Sequence, residues 1–556
     1  MVLKGADILV RSLIDQGCEV VFGYPGGSVI DIYDSLYRYQ DEITHILTSH
    51  EQHAAHAADG YARATGKVGV CIATSGPGCT NLVTGIATAF LDSVPLVAIT
   101  GNVATANIGT DGFQEIDITG ITLPITKHNY FVSDISELAD VVREAFEIAS
   151  SDRPGPVLVD IAKDVQVDRY DYQRRNPVVP DPREAAGDEG LAQAATIINN
   201  AKRPFIYVGG GALASEATKE VIALSEAIDA PIGNSLMATS LIPSDTPRFL
   251  GLEGMHGHYS STMAIKEADC IIALGARFND RSTGDRTKFA RKAKVVRIDI
   301  DESELSKTVS GKVDLHGDVK LTLQRLYPLI KPQERPDWAA RIAELKEFEA
   351  ENADVREGMT PKNVMLAVNE HLEPEMTVTT DVGQHQMWAA QYLRFARPRT
   401  FLTSGGLGTM GFGMGAAIGA HFGTNKRSVL VIGDGGFAMC LNDLATAVTN
   451  KVPLTVILLN NSVLGMVRQW QRLFYEERFS NTTLDKRVTD YVALAKAFGA
   501  GAQRVTTTDE LGPALEEAFA SDTPYLVECV IDKDELVMPM LPPGGTLDDI
   551  IVRLGD

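Results

Sequence analysis

Positive charge is scarce in this 556-residue chain. Lys and Arg number 51 against 73 Asp and Glu, a formal net charge of −22. Such a chain does not hold nucleic acid or anionic lipid by bulk attraction, although local basic pockets are not excluded. Long apolar runs are missing too: no window offers the roughly 20 consecutive apolar residues that a membrane span needs. The opening residues, Met1 to Asp7, run into a helical pattern with no basic region and apolar stretch ahead of it, so no secretory signal is expected. The six cysteines (Cys18, Cys71, Cys79, Cys270, Cys440 and Cys529) form no CxxC pair and read as reduced core residues. Hydrophobic residues at 44 % and charged residues at 22 % exclude disorder as the main state. The length exceeds what one hydrophobic core fills, so about two to four domains are expected. A cytoplasmic enzyme fits these bounds.

What is present is a long alternation of β-rich runs and helical stretches, the pattern of α/β layers. Val20-Val21-Phe22, Val68 to Thr74, Leu96 to Thr100 and Val157 to Ile161 read as buried strands of a parallel sheet. Residues 1–166 form this first unit. A polar stretch with Pro177, Pro180 and Pro182, residues 167–187, reads as a linker. A second unit, 188–335, carries strands near Phe205 to Val208, Cys270 to Leu274 and Val295 to Ile300. Residues 336–359 are a connector with a charged helix from Trp338 to Glu351. The third unit, 360–556, carries strands at Val378 to Thr380, Ser428 to Ile432, Leu454 to Leu459 and Tyr525 to Val530.

The third unit holds the most informative chemistry. One strand ends in Gly433-Asp434-Gly435-Gly436-Phe437, a helix is expected from Leu441 to Asn450, and the next strand ends in Asn460-Asn461. Asp434 and Asn461 are one strand–helix–strand crossover apart, so both sit at the carboxyl edge of adjacent parallel strands, where open α/β sheets bind ligands. A carboxylate and an amide oxygen are hard ligands that suit Mg²⁺ sharing its shell with phosphate oxygens. The glycines let backbone approach the phosphates.

This pairing resembles the diphosphate–Mg²⁺ motif of the thiamine-diphosphate enzyme family. The resemblance implies a fold of three doubly wound parallel-sheet domains: pyrimidine-binding, central FAD-binding and diphosphate-binding. It implies a third metal ligand in the Val463 carbonyl, and a diphosphate cradle in Val382, Gly383, Gln384 and His385, with Gly435, Gly436 and Met466 beside it. It also gives a role to Glu51, in Ser49-His50-Glu51-Gln52-His53, as the acid on the cofactor's pyrimidine nitrogen. Alone, Glu51 would read as a helix-start carboxylate held by the dipole. His50, His53 and His56 read as surface or packing residues. Thr74 to Asn81 is a tight turn that either shapes the active-site wall or is merely structural. The family builds its site between the first unit of one chain and the third of its partner, so a homodimer or larger assembly is implied.

Within the family the chain is most similar to the acetohydroxyacid synthases, on motifs in all three units. These include Gly23-Tyr24-Pro25-Gly26-Gly27, Gly254-Met255-His256-Gly257, Gly275-Ala276-Arg277-Phe278-Asn279-Asp280-Arg281, Gly405 to Ala420 and Gly465 to Trp470. The resemblance implies that pyruvate is decarboxylated and its two-carbon unit passed to a second 2-keto acid, pyruvate or 2-ketobutyrate. Met410 would bend the cofactor and the Gly408 carbonyl would accept from its amino group. Arg281 would hold the second acid's carboxylate, Trp470 its side chain, and Phe113, Gln114 and Lys163 would line the channel. A non-redox FAD would contact Arg153, Gly209, Gly210, Gly211, Ser235, Leu236, Met255, His256, Gly275, Arg277, Asp299 and Asp318. The triple glycine alone could equally be a plain loop. A small regulatory subunit is a possible partner; neither nucleic acid nor membrane is one. Several positions depart from the family pattern. Asn279 replaces an Asp, and Met237 to Ser240 lack two glycines. Ala104, Ala162 and Gly415 replace prolines, which predicts a looser channel. The Pro542-Pro543-Gly544-Gly545 run either orders over the site or stays mobile. Rival readings are pyruvate oxidase, simple 2-keto acid decarboxylases, glyoxylate carboligase and a non-catalytic protein keeping the fold.

Overall fold

A computed structural model describes residues 1–179, 182–305 and 307–553. Pro180, one of the prolines of the expected linker, lies outside the described residues. Three six-stranded, all-parallel sheets organise the chain. The first contains Val20–Gly23, Thr44–Leu47, Gly69–Ala73, Leu96–Gly101, His128–Val132 and Pro156–Ile161. With strands numbered in chain order within each sheet, its order is 2-1-3-4-6-5. The third sheet contains Thr377–Thr380, Phe401–Leu402, Ser428–Gly433, Leu454–Asn460, Gly501–Val505 and Tyr525–Val530, and repeats that order. The middle sheet contains Pro204–Val208, Ile232–Asn234, Phe249–Leu252, Cys270–Leu274, Lys294–Asp299 and Val313–His316, in the order 3-2-1-4-5-6. That is the dinucleotide-binding order, with its crevice where the order reverses, between the strands ending at Val208 and Leu274. The central strands are buried on both faces, which is why they read as near-continuous Val and Ile. All six cysteines are buried within these layers. Burial pushes the thiols of Cys18, Cys71, Cys79, Cys270 and Cys529 up to about 12.

Three local readings change. The chain opens with a short strand, Val2–Lys4, ahead of the helix Gly5–Asp15. It pairs antiparallel with Arg169–Asp171, so the stretch expected to be pure linker carries a strand. The helix after Gly433 begins at Asp434 rather than Leu441: Asp434–Cys440 is helical, a tight turn covers Leu441–Asp443, and Leu444–Thr449 follows. The C-terminal run packs down. Leu541 is fully buried and its N–H donates to the Met255 carbonyl at 2.8 Å, while the Asp285 N–H donates to Gly545 at 2.9 Å.

The closest helix contact joins the first and third units. Glu51–Thr65 is built largely of alanine, a strong helix former, and ends on Gly66 in the left-handed region with its N–H on the Ala62 carbonyl. It packs against Phe412–Thr424, equally rich in Gly and Ala. A Cβ on Gly60 would lie 2.1 Å from the Ala416 carbonyl oxygen, and one on Gly419 would lie 1.8 Å from the Ala57 carbonyl oxygen. Gly415 belongs to the same contact, since its Cβ would meet the His53 carbonyl oxygen at 2.7 Å. Gly419→Val should therefore cost at least about 3 kcal/mol by overpacking against backbone. Gly512→Ala, on an open helix face, should be neutral or slightly stabilising. Thermal unfolding of the two variants side by side checks this; equal midpoints would contradict it.

Candidate active site

At the switch point of the third sheet, the strand Ser428–Gly433 runs straight into the helix that begins with Asp434. Asp434 is buried and forms no ion pair among the described residues, and burial pushes its carboxyl up to about 6. One strand over, Asn461 Oδ1 accepts from the Val463 N–H at 3.3 Å, and Asn461 Nδ2 donates to Gln384 Oε1 at 3.4 Å. Ser462 between them has φ of 55°, which turns the Asn461–Val463 segment back on itself. The turn after Thr377–Thr380 faces this edge. His385 is buried, its Nε2 has no hydrogen-bond partner, and burial holds the ring neutral with a pKa near 4. Glycines make the room: a Cβ on Gly433 would lie 3.0 Å from His385 Nδ1, and one on Gly465 would lie 1.9 Å from Gln384 Oε1. Gly435 and Gly436 are crowded likewise, by Leu464 and Asp381. One carboxylate, one amide oxygen, a nearby backbone carbonyl and an unpartnered imidazole nitrogen fit a hard cation bridged to phosphate oxygens.

The loop carrying Gly408 and Met410 is clamped from two sides. Buried Asp381 accepts from the N–H groups of Val382, Gly411 and Gly413 at 2.9, 2.8 and 2.9 Å. Asp92, from the first unit, accepts from Gly405 and Gly406 at 3.1 and 2.7 Å and pairs with Arg63 at 2.9 Å. Met410 reaches back to the diphosphate edge: its methyl group lies 3.7 Å from where a Gly435 Cβ would be. Neither clamp was read from the sequence. Nothing local marks Asp381 or Asp92 for this role.

A cavity of about 1230 Å³ lies beside this loop. Gly210, Gly211, Gly275, Ser235 and Leu236 line it at the middle sheet's crevice. Gly209 does not line it; a Cβ there would be 2.2 Å from the Gly275 carbonyl oxygen, so Gly209 packs the two strand ends together. Arg277 lines the cavity, half-buried and in no ion pair among the described residues, its guanidinium donating to the Leu91 carbonyl at 2.6 Å. Arg153 lies near it, paired with Asp301 and Glu304 at 2.9 and 3.0 Å. Asp299 also lines it, and Asp318 caps the helix Val319–Leu326 while accepting from Ser215 at 2.7 Å. Met255 and buried His256, whose Nδ1 is unpartnered, complete this wall. Two close glycine turns, a half-buried cation in no ion pair among the described residues and an open crevice fit a dinucleotide. Asn279 is exposed and caps the short helix Asp280–Thr283, its Oδ1 accepting from the Arg281 and Ser282 N–H groups at 3.1 and 3.0 Å. Met237, Ala238 and Ser240 all avoid positive φ, so their loop does not require glycine. Ala104 and Ala162 have φ of −61° and −60°, the value proline would impose, so this backbone keeps its course without it.

The cavity's other wall holds Val382, Gly408, Met466, Arg281 and Trp470. The Arg281 guanidinium stands 5.6 Å from the Trp470 ring centroid and donates toward Met255 Sδ at 3.3 Å. Glu51, Phe113, Gln114 and Lys163, expected at the substrate channel or the pyrimidine, do not line this cavity. Phe113 is 88 % exposed, Gln114 packs beside Gly76, and Lys163 pairs with Asp31 at 2.6 Å. Glu51 opens its helix, half-buried, and accepts from Asn81 Nδ2 at 2.9 Å. The turn Thr74 to Asn81 thus acts directly on Glu51. Within one chain, Glu51 does not line the cavity that holds Arg281.

Fold and site together define a thiamine-diphosphate enzyme. Three family models agree: "Thiamine pyrophosphate enzyme, N-terminal TPP binding domain" over residues 3–121, "central domain" over 191–326, and "C-terminal TPP binding domain" over 381–529. The chain is 43 % identical to the acetolactate synthase isozyme 2 large subunit of Escherichia coli, over 99 % of this chain and 100 % of the relative. It is 43 % identical to the probable acetolactate synthase large subunit of Methanocaldococcus jannaschii, over 99 % and 95 %, and 43 % identical to the acetolactate synthase large subunit of Corynebacterium glutamicum, over 100 % and 91 %. The chain belongs to the acetolactate synthase large-subunit family of thiamine pyrophosphate enzymes.

Proposed function

We propose that the chain makes acetolactate: it decarboxylates pyruvate and transfers the two-carbon unit to a second 2-keto acid. The product is 2-acetolactate from pyruvate, or 2-aceto-2-hydroxybutyrate from 2-ketobutyrate, on the routes to valine, leucine and isoleucine. The observation that carries this reading is the Arg281–Trp470 pair at one cavity with the Gly408 loop. A cation stacked on an indole offers a carboxylate site beside an apolar side-chain site, as a 2-keto acid acceptor requires.

Thiamine diphosphate, when bound, supplies the nucleophilic carbon and the electron sink for decarboxylation. Asp434, Asn461 and the Val463 carbonyl hold Mg²⁺, and Val382, Gly383, Gln384, His385, Gly435, Gly436 and Met466 cradle the diphosphate. Met410 and the Gly408 carbonyl press and orient the pyrimidine. Glu51 holds a proton at the pyrimidine nitrogen. Phe113, Gln114 and Lys163 line the approach, and Lys163 and Arg281 favour anionic substrates. The glycine-lined crevice would hold FAD in a non-redox role, with Arg277 and Arg153 as the cations available to its phosphates. Because Glu51 does not line the Arg281 cavity within one chain, the complete site forms between two chains of a homodimer or larger assembly. The relatives named as large subunits support a smaller regulatory partner. No helix among the described residues is long and apolar enough to cross a membrane, and buried reduced cysteines suit the cytoplasm.

Pyruvate, Mg²⁺ and thiamine diphosphate should yield acetolactate, detected as acetoin after acid decarboxylation. Glu51→Gln should lower turnover by roughly 10²- to 10⁴-fold. Mixing it with inactive Asp434→Ala should restore activity, because a mixed dimer keeps one intact site. Full activity in Glu51→Gln would refute its role; no rescue on mixing would refute the shared site. The purified protein should show flavin absorbance and consume no oxygen with pyruvate. A colourless active enzyme would remove FAD, and oxygen uptake would favour an oxidase. Trp470→Leu should reduce the share of 2-aceto-2-hydroxybutyrate when both acids compete, and an unchanged ratio would reject its role in selectivity.

A further inference from the structure

Asp443 ends the tight turn that follows the Asp434–Cys440 helix. Its side chain is fully buried and reaches across to the first unit. Oδ1 accepts from the Ser49 backbone N–H at 2.9 Å and from Thr446 Oγ1 at 2.7 Å. Oδ2 pairs with Nδ1 of His53, itself 4 % exposed. Ser49 Oγ donates to the Asn442 carbonyl at 2.9 Å, which doubles the attachment. Residues 49 and 53 stand two positions on either side of Glu51. A single short segment of the third unit therefore grips the first helical turn on both flanks of the activating glutamate.

The packed seam with Phe412–Thr424 holds the body of the Glu51–Thr65 helix, but few contacts hold its first turn. Among the described residues, the one side-chain hydrogen bond of Glu51 comes from Asn81. His50 caps the helix by accepting from the Gln52 N–H at 3.1 Å, which fixes the turn's shape. Asp443 ties that turn to the third unit. Among the described residues no Lys or Arg pairs with it, so the imidazole of His53 is its ionisable partner. The rings of His50 and His56 lie 5.7 and 6.4 Å from that of His53, and Asp381 is the other nearby carboxyl. A buried carboxylate held by one backbone N–H, one hydroxyl and one imidazole has a narrow set of geometries, and loss of one partner leaves the others unsatisfied.

We propose that Asp443, with His53, is a positioning residue that sets Glu51 against the cofactor's pyrimidine. The proposal rests on the role given to Glu51 above. It makes Asp434 and Asp443 the two ends of one short piece of chain, one end facing the metal and the other holding the glutamate's turn.

The test is the rate at which the reactive C2 proton of bound thiamine diphosphate exchanges with deuterium, read by acid quench and proton NMR on the Mg²⁺ holoenzyme. This rate reports Glu51's task and not the later steps. In Asp443→Asn it should fall at least about tenfold, as a small misplacement of a catalytic group does, while thiamine diphosphate affinity changes less than about threefold. His53→Ala should show the same loss, and His53→Gln, which keeps a donor, should recover part of the rate. Glu51→Gln runs beside them. Wild-type exchange in folded Asp443→Asn, or in His53→Ala if the first does not fold, would overturn the proposal while slow exchange in Glu51→Gln leaves the glutamate's role intact. Fast exchange in Glu51→Gln would remove both.

Discussion

The near-contact of two helix backbones, Glu51–Thr65 against Phe412–Thr424, is the constraint on which the rest depends. Gly60, Gly415 and Gly419 leave no space for a Cβ, and alanines such as Ala57 and Ala416 lie directly opposite them. Such a seam has one register, because any slide brings a methyl group onto a carbonyl. It ties the first sheet to the third, two copies of one topology. It also places both helix starts. Glu51 stands at one, and at the other the Gly411 and Gly413 N–H groups hang on Asp381. Glu51 and the Met410 loop thus rest on the same packed surface.

Negative charge is abundant in the chain, and the interior uses it as a fastener. Asp381, Asp92 and Asp443 are carboxylates aimed at backbone N–H groups of loops near the site. A carboxylate offers two oxygens and accepts several such bonds at once. Asp434 differs: it is buried, and among the described residues neither it nor the half-buried Arg277 forms an ion pair. Such charges suit a cation at the switch point of the third sheet and an anion in the crevice of the middle sheet.

How much of this was legible in the sequence follows from range. The Val- and Ile-rich central strands and the Asp434 and Asn461 strand ends are contiguous signals, and they read correctly. Edge strands such as Thr44–Leu47 and Gly501–Val505 did not stand out, since they are short and mix polar with apolar residues. The resemblance found the residues along the cavity because they sit in motifs. Asp92, Asn81 and Asp443 act on partners far along the chain, and no local pattern announces them. His53 read as packing, and it is buried, but its partner lies in another unit. Gly415 looked like a lost proline with a looser backbone, whereas the seam explains it as a place where only hydrogen fits.

The six cysteines give the fold an unplanned reporter. None is reachable in the native state, and burial keeps their thiols protonated. Each of the three units holds at least one: Cys18, Cys71 and Cys79 in the first, Cys270 in the middle, and Cys440 and Cys529 in the third. An alkylating reagent is therefore blind to the folded molecule and modifies a unit only when that unit opens. Mapping which cysteine is labelled first, by mass, ranks the three units by how readily each comes apart.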